Sequence, residues 1–210
     1  MQTETQPLRA GDVILFDAGD RSDVIHLVSH VLPNAIECVS RSAWSHSAMV
    51  FDLDAPVNGR DQAELHILES TILRGANGPQ LNPLSARLAD YTGGHAIACH
   101  LSERIRGFLD FGAMWRFAAG KLGRDRYNVA ELLAYLARHI PIVQEIPALY
   151  QSDDDSEVCS EFVAQLLQAG GLPGLHPAVM APEQLAQLRI YSGYSQLVGE
   201  PRLMPHFNSV

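Results

Sequence analysis

The chain has 210 residues, 47% of them apolar, enough for one domain with a sizeable core. Its net charge is −9 with no basic block, which argues against a general nucleic-acid binder. No run reaches the ~18 uninterrupted apolar residues of a membrane span, and the polar segment Met1 to Ala10 lacks a signal-peptide core. Residues 1–10 read as a loose, flexible arm. Gly11-Asp12 turns the chain into Val13-Ile14-Leu15-Phe16, a short apolar run that reads as a buried strand. Asp17 to Asp23 reads as a polar loop. Val24 to Leu32 has helical periodicity and stops at Pro33. From Ser45 to Phe51, His46, Ala48 and Val50 alternate with Ser47, Met49 and Phe51, as on a strand with both faces in use. Glu64 to Ser70 is the next strand, Gly75 to Pro83 a loop, and His95 to Leu101 a further strand.

Beyond residue 102 the period changes. Glu103 to Leu122 reads as a helix anchored by Ile105, Leu109, Ala113, Phe117 and Ala118, and Val129 to His139 as a second. Pro182 to Leu188 is a short helix with Pro at an early position, and Ile190 to Val198 returns to strand. Strands first and helices later favour an α+β layer fold.

The helix of most chemical interest runs from about Ser156 to Ala169. Asp155 or Ser156 supplies an N-cap, and Gly170-Gly171 a stop. Phe162, Val163, Leu166 and Leu167 share a face with Cys159, so that face packs inward. A thiol in the first turn sits among unpaired N–H groups at the positive end of the helix dipole, and both favour the reactive thiolate. Such a nucleophile needs a base and a group that orients the base. His46 on its strand is the candidate base. If the strands of His46 and Glu69 are antiparallel neighbours, Glu69 reaches one ring nitrogen while the other faces the sulfur. The carboxylates of Asp153, Asp154, Asp155 and Glu157 oppose the thiolate. Exposed charges are screened over a Debye length of roughly 8 Å, so the helix end and His46 are expected to prevail.

Several short motifs together resemble the permuted papain-like enzymes of the YiiX/YaeF type, relatives of the NlpC-type cell-wall peptidases and of lecithin retinol acyltransferase. They are Gly11-Asp12-Val13-Ile14-Leu15-Phe16, Trp44-Ser45-His46-Ser47-Ala48-Met49-Val50, Leu68-Glu69-Ser70, Arg126-Tyr127-Asn128, Cys159-Ser160-Glu161-Phe162-Val163 and Ala181-Pro182-Glu183-Gln184-Leu185. The resemblance implies one permuted papain-like (NlpC-type) domain over 1–210. A small antiparallel sheet or barrel would pack on the helix that carries the cysteine, with residues 102–150 as a helical insertion. It implies Cys159 as nucleophile, His46 as base, Glu69 as orienting acid and Tyr127 near the active site, where its hydroxyl would assist an oxyanion hole. The chain departs from the family at Ser47-Ala48, where Val-Gly is frequent, and in the length of region 102–150.

The implied reaction is acyl transfer through a thioacyl enzyme, with no metal or organic cofactor. The first expectation is an amidase or peptidase acting on a peptide, a cell-wall peptide or an isopeptide bond. A lipid-directed acyltransferase or thioesterase with the same triad is the alternative, and an inactive binding module of the same fold is a third reading. The three cysteines, Cys38, Cys99 and Cys159, form no CxxC pair and no even disulfide framework, which fits a reducing compartment and a cytoplasmic location. Export by a route that needs no signal is compatible with the same features. His26 and His30 stand one helical turn apart with Cys38 beyond, but no further ligand is well placed, so the reading is no metal. Cys38 and Cys99 read as inert thiols. Phe108, Phe111, Trp115 and Phe117 read mainly as core, with an acyl groove as the functional alternative.

Overall fold

The apolar run Val13–Phe16 forms β1, and all four of its side chains are fully buried because β1 is covered on both faces. The computed structural model describes residues 6–17, 44–51, 65–73, 76–90, 94–124 and 159–199. After β1 come β2 (His46–Phe51), β3 (His66–Leu73), β4 (Ala76–Pro83), α1 (Leu84–Ala89), β5 (Ala96–Leu101), α2 (Glu103–Phe108), α3 (Phe111–Lys121), α4 (Cys159–Ala169), a 3-10 turn (Pro177–Val179), α5 (Pro182–Ala186) and β6 (Tyr191–Val198). The strands form a six-stranded sheet in the order β4-β3-β2-β1-β5-β6, with every neighbouring pair antiparallel. The architecture is α+β.

Strand alternation divides the core in two. Val13, Leu15, Met49, Leu68, Ile97 and Cys99 join Phe162, Val163, Leu166 and Leu167 of α4 on one side. Ile14, Phe16, Ala48, Val50, Ile67 and Ala96 join Leu84 of α1 on the other. The four α4 anchors are fully buried, each worth roughly 1.5–3 kcal/mol of burial, so the sheet holds α4 firmly. The helix ends at Gly170-Gly171, where Gly171 has φ +98° and the Leu172 N–H donates to Leu167 O at 3.0 Å.

The structure corrects four expectations. The segment 75–83, read as a loop, contains β4. Pro79, Pro83 and Gly78 argue against a central strand, but β4 lies at the sheet edge, where a missing N–H costs no ladder bond. The single helix expected over 103–122 is two. Leu109 is extended at ψ 134°, and the Asp110 carboxylate caps α3 by accepting from Ala113 N at 2.9 Å. Glu69 lies in the middle of β3, which runs on to Leu73, past the strand end expected at Ser70. Residues 8–10, placed in a loose arm, are tied down. Leu8 packs on the core, Arg9 pairs with Glu103, and the Ala10 carbonyl accepts from Arg106.

Phe111, Trp115 and Phe117 are half-buried against the core while Phe108 is exposed, and Trp115 stacks near Phe51 with centroids 5.4 Å apart. The helices read over 24–32 and 129–139 and the cap at Asp155 or Ser156 lie outside the described residues. Among the described residues no helix is long and apolar enough to cross a membrane.

Candidate active site

Cys159 is the first residue of α4, and α4 packs across β2 and β3. His46 pairs with Phe16 of β1, and Ser47 pairs with Leu15. Neighbours across a ladder share a face, so Ser47 lies on the α4 side and His46 on the other. The Cys159 sulfur meets both residues, with hydrogen bonds to the His46 imidazole and the Ser47 backbone N–H. The β2–β3 pairing runs over Met49–Phe51, so the Ser47 N–H lies beyond the end of that ladder and turns to the sulfur.

His46 Nε2 stands 2.6 Å from Glu69 Oε2, and both side chains are buried. Since Nε2 is engaged with the carboxylate, Nδ1 is the ring nitrogen left for the sulfur. Glu69 Oε1 accepts from Arg87 Nε at 2.7 Å and from Asn82 Nδ2 at 2.8 Å. Ile67 pairs with Asn82 across β3–β4, so Asn82 and Glu69 lie on one face of the sheet. Phe16 packs beside two members of this chain of contacts. Its ring centroid is 5.6 Å from the His46 ring and 5.7 Å from the Arg87 guanidinium carbon.

The electrostatics follow from these contacts. Burial alone would raise the Glu69 pKa, but the His46 hydrogen bond and the Arg87 charge outweigh it and hold the carboxyl at about 2. Burial likewise works against the Cys159 thiolate. The His46 charge and hydrogen bond, helped by Ser47, reverse the sign and lower the thiol below its ordinary value. A buried sulfur next to an imidazole that is locked by a permanent carboxylate is equipped to sit as a thiolate.

The structure therefore brings Cys159, His46 and Glu69 into contact, while Tyr127 lies outside the described residues. Sequence reasoning missed Asn82 and Arg87. Asn82 falls in the segment 75–83 read as loop, and Arg87 in the stretch after it, for which no element is read, although Leu84 and Leu88, one helical turn apart, carry the signal of a short helix that buries one side. Among the described residues no group of three or more His, Cys, Asp or Glu side chains is arranged to hold a metal ion. His26, His30 and Cys38 lie outside those residues.

No protein-family model matches the chain, and no curated protein matches it. Among solved structures the chain is similar to the crystal structure of YiiX from Escherichia coli O157:H7, described as a metalloprotein of a domain family of unknown function. The match covers 91% of this chain and 97% of that one, with a TM-score of 0.53 and 15% sequence identity. The motifs that resemble the YiiX type are thus joined by a shared architecture: this chain has the α+β fold of the YiiX structure, with a six-stranded antiparallel sheet.

Proposed function

We propose that the chain is a cysteine-dependent hydrolase of the permuted papain-like arrangement, an amidase or peptidase in which Cys159 is the nucleophile, His46 the base and Glu69 the orienting acid. One observation carries this reading: the sulfur and the Glu69 carboxylate engage the same imidazole, the carboxylate at 2.6 Å from Nε2. The order along the chain is His46, Glu69, Cys159, as the resemblance implies.

In the first step the Cys159 thiolate attacks the substrate carbonyl carbon. The C–S bond forms, and the carbonyl π electrons move to oxygen. The Cys159 backbone N–H, at the start of α4, serves as a donor to that oxyanion. The tetrahedral adduct then collapses, expelling the amine, which takes the proton from His46 Nδ1. In the second step His46 accepts a proton from water as the water attacks the thioester. The second tetrahedral adduct then expels the Cys159 thiolate, releasing the acid and restoring the thiolate–imidazolium pair. Throughout, Glu69 keeps Nε2 protonated and the ring fixed, and Asn82 and Arg87 hold Glu69. Both Glu69 oxygens are already committed to these three partners, so the residues here do not fit a metal ligand set, and no step runs through one.

Iodoacetamide at pH 6, read by peptide mass spectrometry, tests the reading. Cys159 should be alkylated at least about tenfold faster than Cys99 or Cys38, and His46→Ala should remove that advantage. Equal rates for all three thiols would sink the hydrolase reading in favour of an inert binding module.

A further inference from the structure

Ser47 is fully buried between the sheet and α4, opposite Leu15, and its hydroxyl oxygen has no hydrogen-bond partner in the structure. Its backbone N–H already points at the Cys159 sulfur. A hydroxyl sealed from water without a partner is a cost that alanine at this position would not carry. A neutral thiol does little to relieve that cost, since its sulfur is a weak acceptor. A thiolate relieves it fully, because a charged acceptor forms a short and much stronger bond.

We propose that the Ser47 hydroxyl is a dedicated donor to the Cys159 sulfur, bonding it only when that sulfur carries charge. The inference rests on the reading of Cys159 as nucleophile and deepens it. The resting thiolate then has three donors: the His46 imidazolium, the Ser47 N–H and the Ser47 hydroxyl. The hydroxyl is close enough to the sulfur to favour its charged form, yet it makes no hydrogen bond in the structure. When the sulfur becomes a thioester it accepts weakly again, so the bond belongs to the free enzyme and not to the acyl-enzyme.

The consequence is a profile that crosses. Removing one donor should move the midpoint of thiolate formation up by about one pH unit, as for a lost hydrogen bond to a charged group. The less stabilised thiolate is also the better nucleophile, with a Brønsted slope of about 0.4–0.5. Ser47→Ala should therefore alkylate about three- to fourfold more slowly than wild type well below the midpoint and about threefold faster well above it. A residue that merely fills space would not give rates that cross.

The experiment is the iodoacetamide rate at Cys159 from pH 4 to 10 in wild type, Ser47→Ala and Ser47→Thr, with thermal melts of each. The expected result is a raised midpoint and crossing rates in Ser47→Ala, a wild-type profile in Ser47→Thr, and a Ser47→Ala melting temperature no lower than wild type. A Ser47→Ala profile superimposed on wild type, with wild-type Cys159 still outpacing Cys99 at pH 6, overturns the role of Ser47 and leaves the hydrolase reading standing. Wild-type Cys159 no faster than Cys99 overturns the hydrolase reading itself, and this inference with it. Should alanine prevent folding, Ser47→Thr against Ser47→Val makes the same comparison between two side chains of one shape.

Discussion

The sheet carries a carboxylate–imidazole pair at each end of β1, and a cysteine lies near each pair. At one end Glu69, His46 and Cys159 meet, with Arg87 behind the carboxylate. At the other, Asp12 Oδ2 is 2.9 Å from His100 Nδ1, Arg106 Nη2 is 2.6 Å from Asp12 Oδ1, and Cys99 sits one residue before His100. Both sulfurs are buried, Cys159 at 3% exposure and Cys99 at 0%. Burial therefore does not explain why their pKa values move in opposite directions. Cys99 is raised far above its usual value by burial and then by the negative charge of Asp12. Cys159 overcomes the same burial because its neighbours are the His46 imidazole and the Ser47 donors. A carboxylate–imidazole pair activates a thiol only when the imidazole lies between the carboxylate and the sulfur.

The Asp12 end is a tie, and it should break as one. Besides His100 and Arg106, Asp12 accepts the Leu101 N–H at 3.0 Å and the Arg9 N–H at 3.0 Å, so it joins the N-terminal segment, β5 and α2. Burial pushes its pKa up, and these four contacts bring it below the usual carboxylate value. Asp12→Ala would leave the buried Arg106 charge without its counter-charge, a loss of about 3–5 kcal/mol. Chemical denaturation should show that loss. The alkylation rate of Cys159, measured under conditions where the variant is folded, should match wild type. A drop in that rate without a loss of stability would break the division between the two ends.

Glu69 is expected to give the next largest effect, visible in pH dependence. Its carboxyl pKa is 4.5 when unfolded and about 2 when folded, so the folded state prefers the ionised form. That preference is fully present above pH 4.5 and is lost as pH falls toward 2. It amounts to about 3 kcal/mol at ~1.4 kcal/mol per unit. Wild-type stability should therefore fall steeply through this window. Glu69→Gln, which cannot ionise, should be less stable at neutral pH and show a flatter slope there, measured by urea titration at each pH. The same variant should slow Cys159 alkylation at pH 6, because the imidazolium loses the anion that supports it. An unchanged slope would mean that Glu69 is not the anion the contacts imply.

The two ends were unequally legible in the sequence. Cys159, His46 and Glu69 announce themselves because a thiol, an imidazole and a carboxylate are distinctive residue types on strongly patterned segments. The alternating run around Ser47 and the α4 face of Phe162, Val163, Leu166 and Leu167 place two of them before any coordinates are known. Arg87 and Asn82 were hidden because edge strands tolerate the Pro and Gly that mark loops, and a six-residue helix has too few turns to show a period. The break at Asp110 was hidden for a related reason. Helical spacing persists across it, and the cap bond to Ala113 competes with an unbroken helix on nearly equal terms. The His100 network had no signal at all, since Asp12 and His100 are 88 positions apart and only the β1–β5 register joins them.

The smallest expected effect is also the one that most sharpens the contrast. Ser195 Oγ is 2.9 Å from His100 Nε2, so Asp12, His100 and Ser195 form a serine–histidine–carboxylate line. By spacing alone it looks as capable as the cysteine site. Two features argue that it is structural. His100 is 1% exposed against 8% for His46, so its Nε2 is the less open to a leaving group. Ser195 lies within β6, at the sheet edge, and not at the start of a helix where free N–H groups would receive an oxyanion. Its hydrogen bond ties β6 to β5, and a bond of this kind is worth about 0.5–1.5 kcal/mol net. Ser195→Ala should cost about that much stability by chemical denaturation and leave Cys159 alkylation unchanged. A fluorophosphonate probe, which labels activated serines, should leave Ser195 unmodified in wild type. Stoichiometric labelling of Ser195 that disappears in His100→Ala would show that the second line is reactive after all, and that the position of the imidazole relative to the nucleophile, not access or an oxyanion site, is what decides.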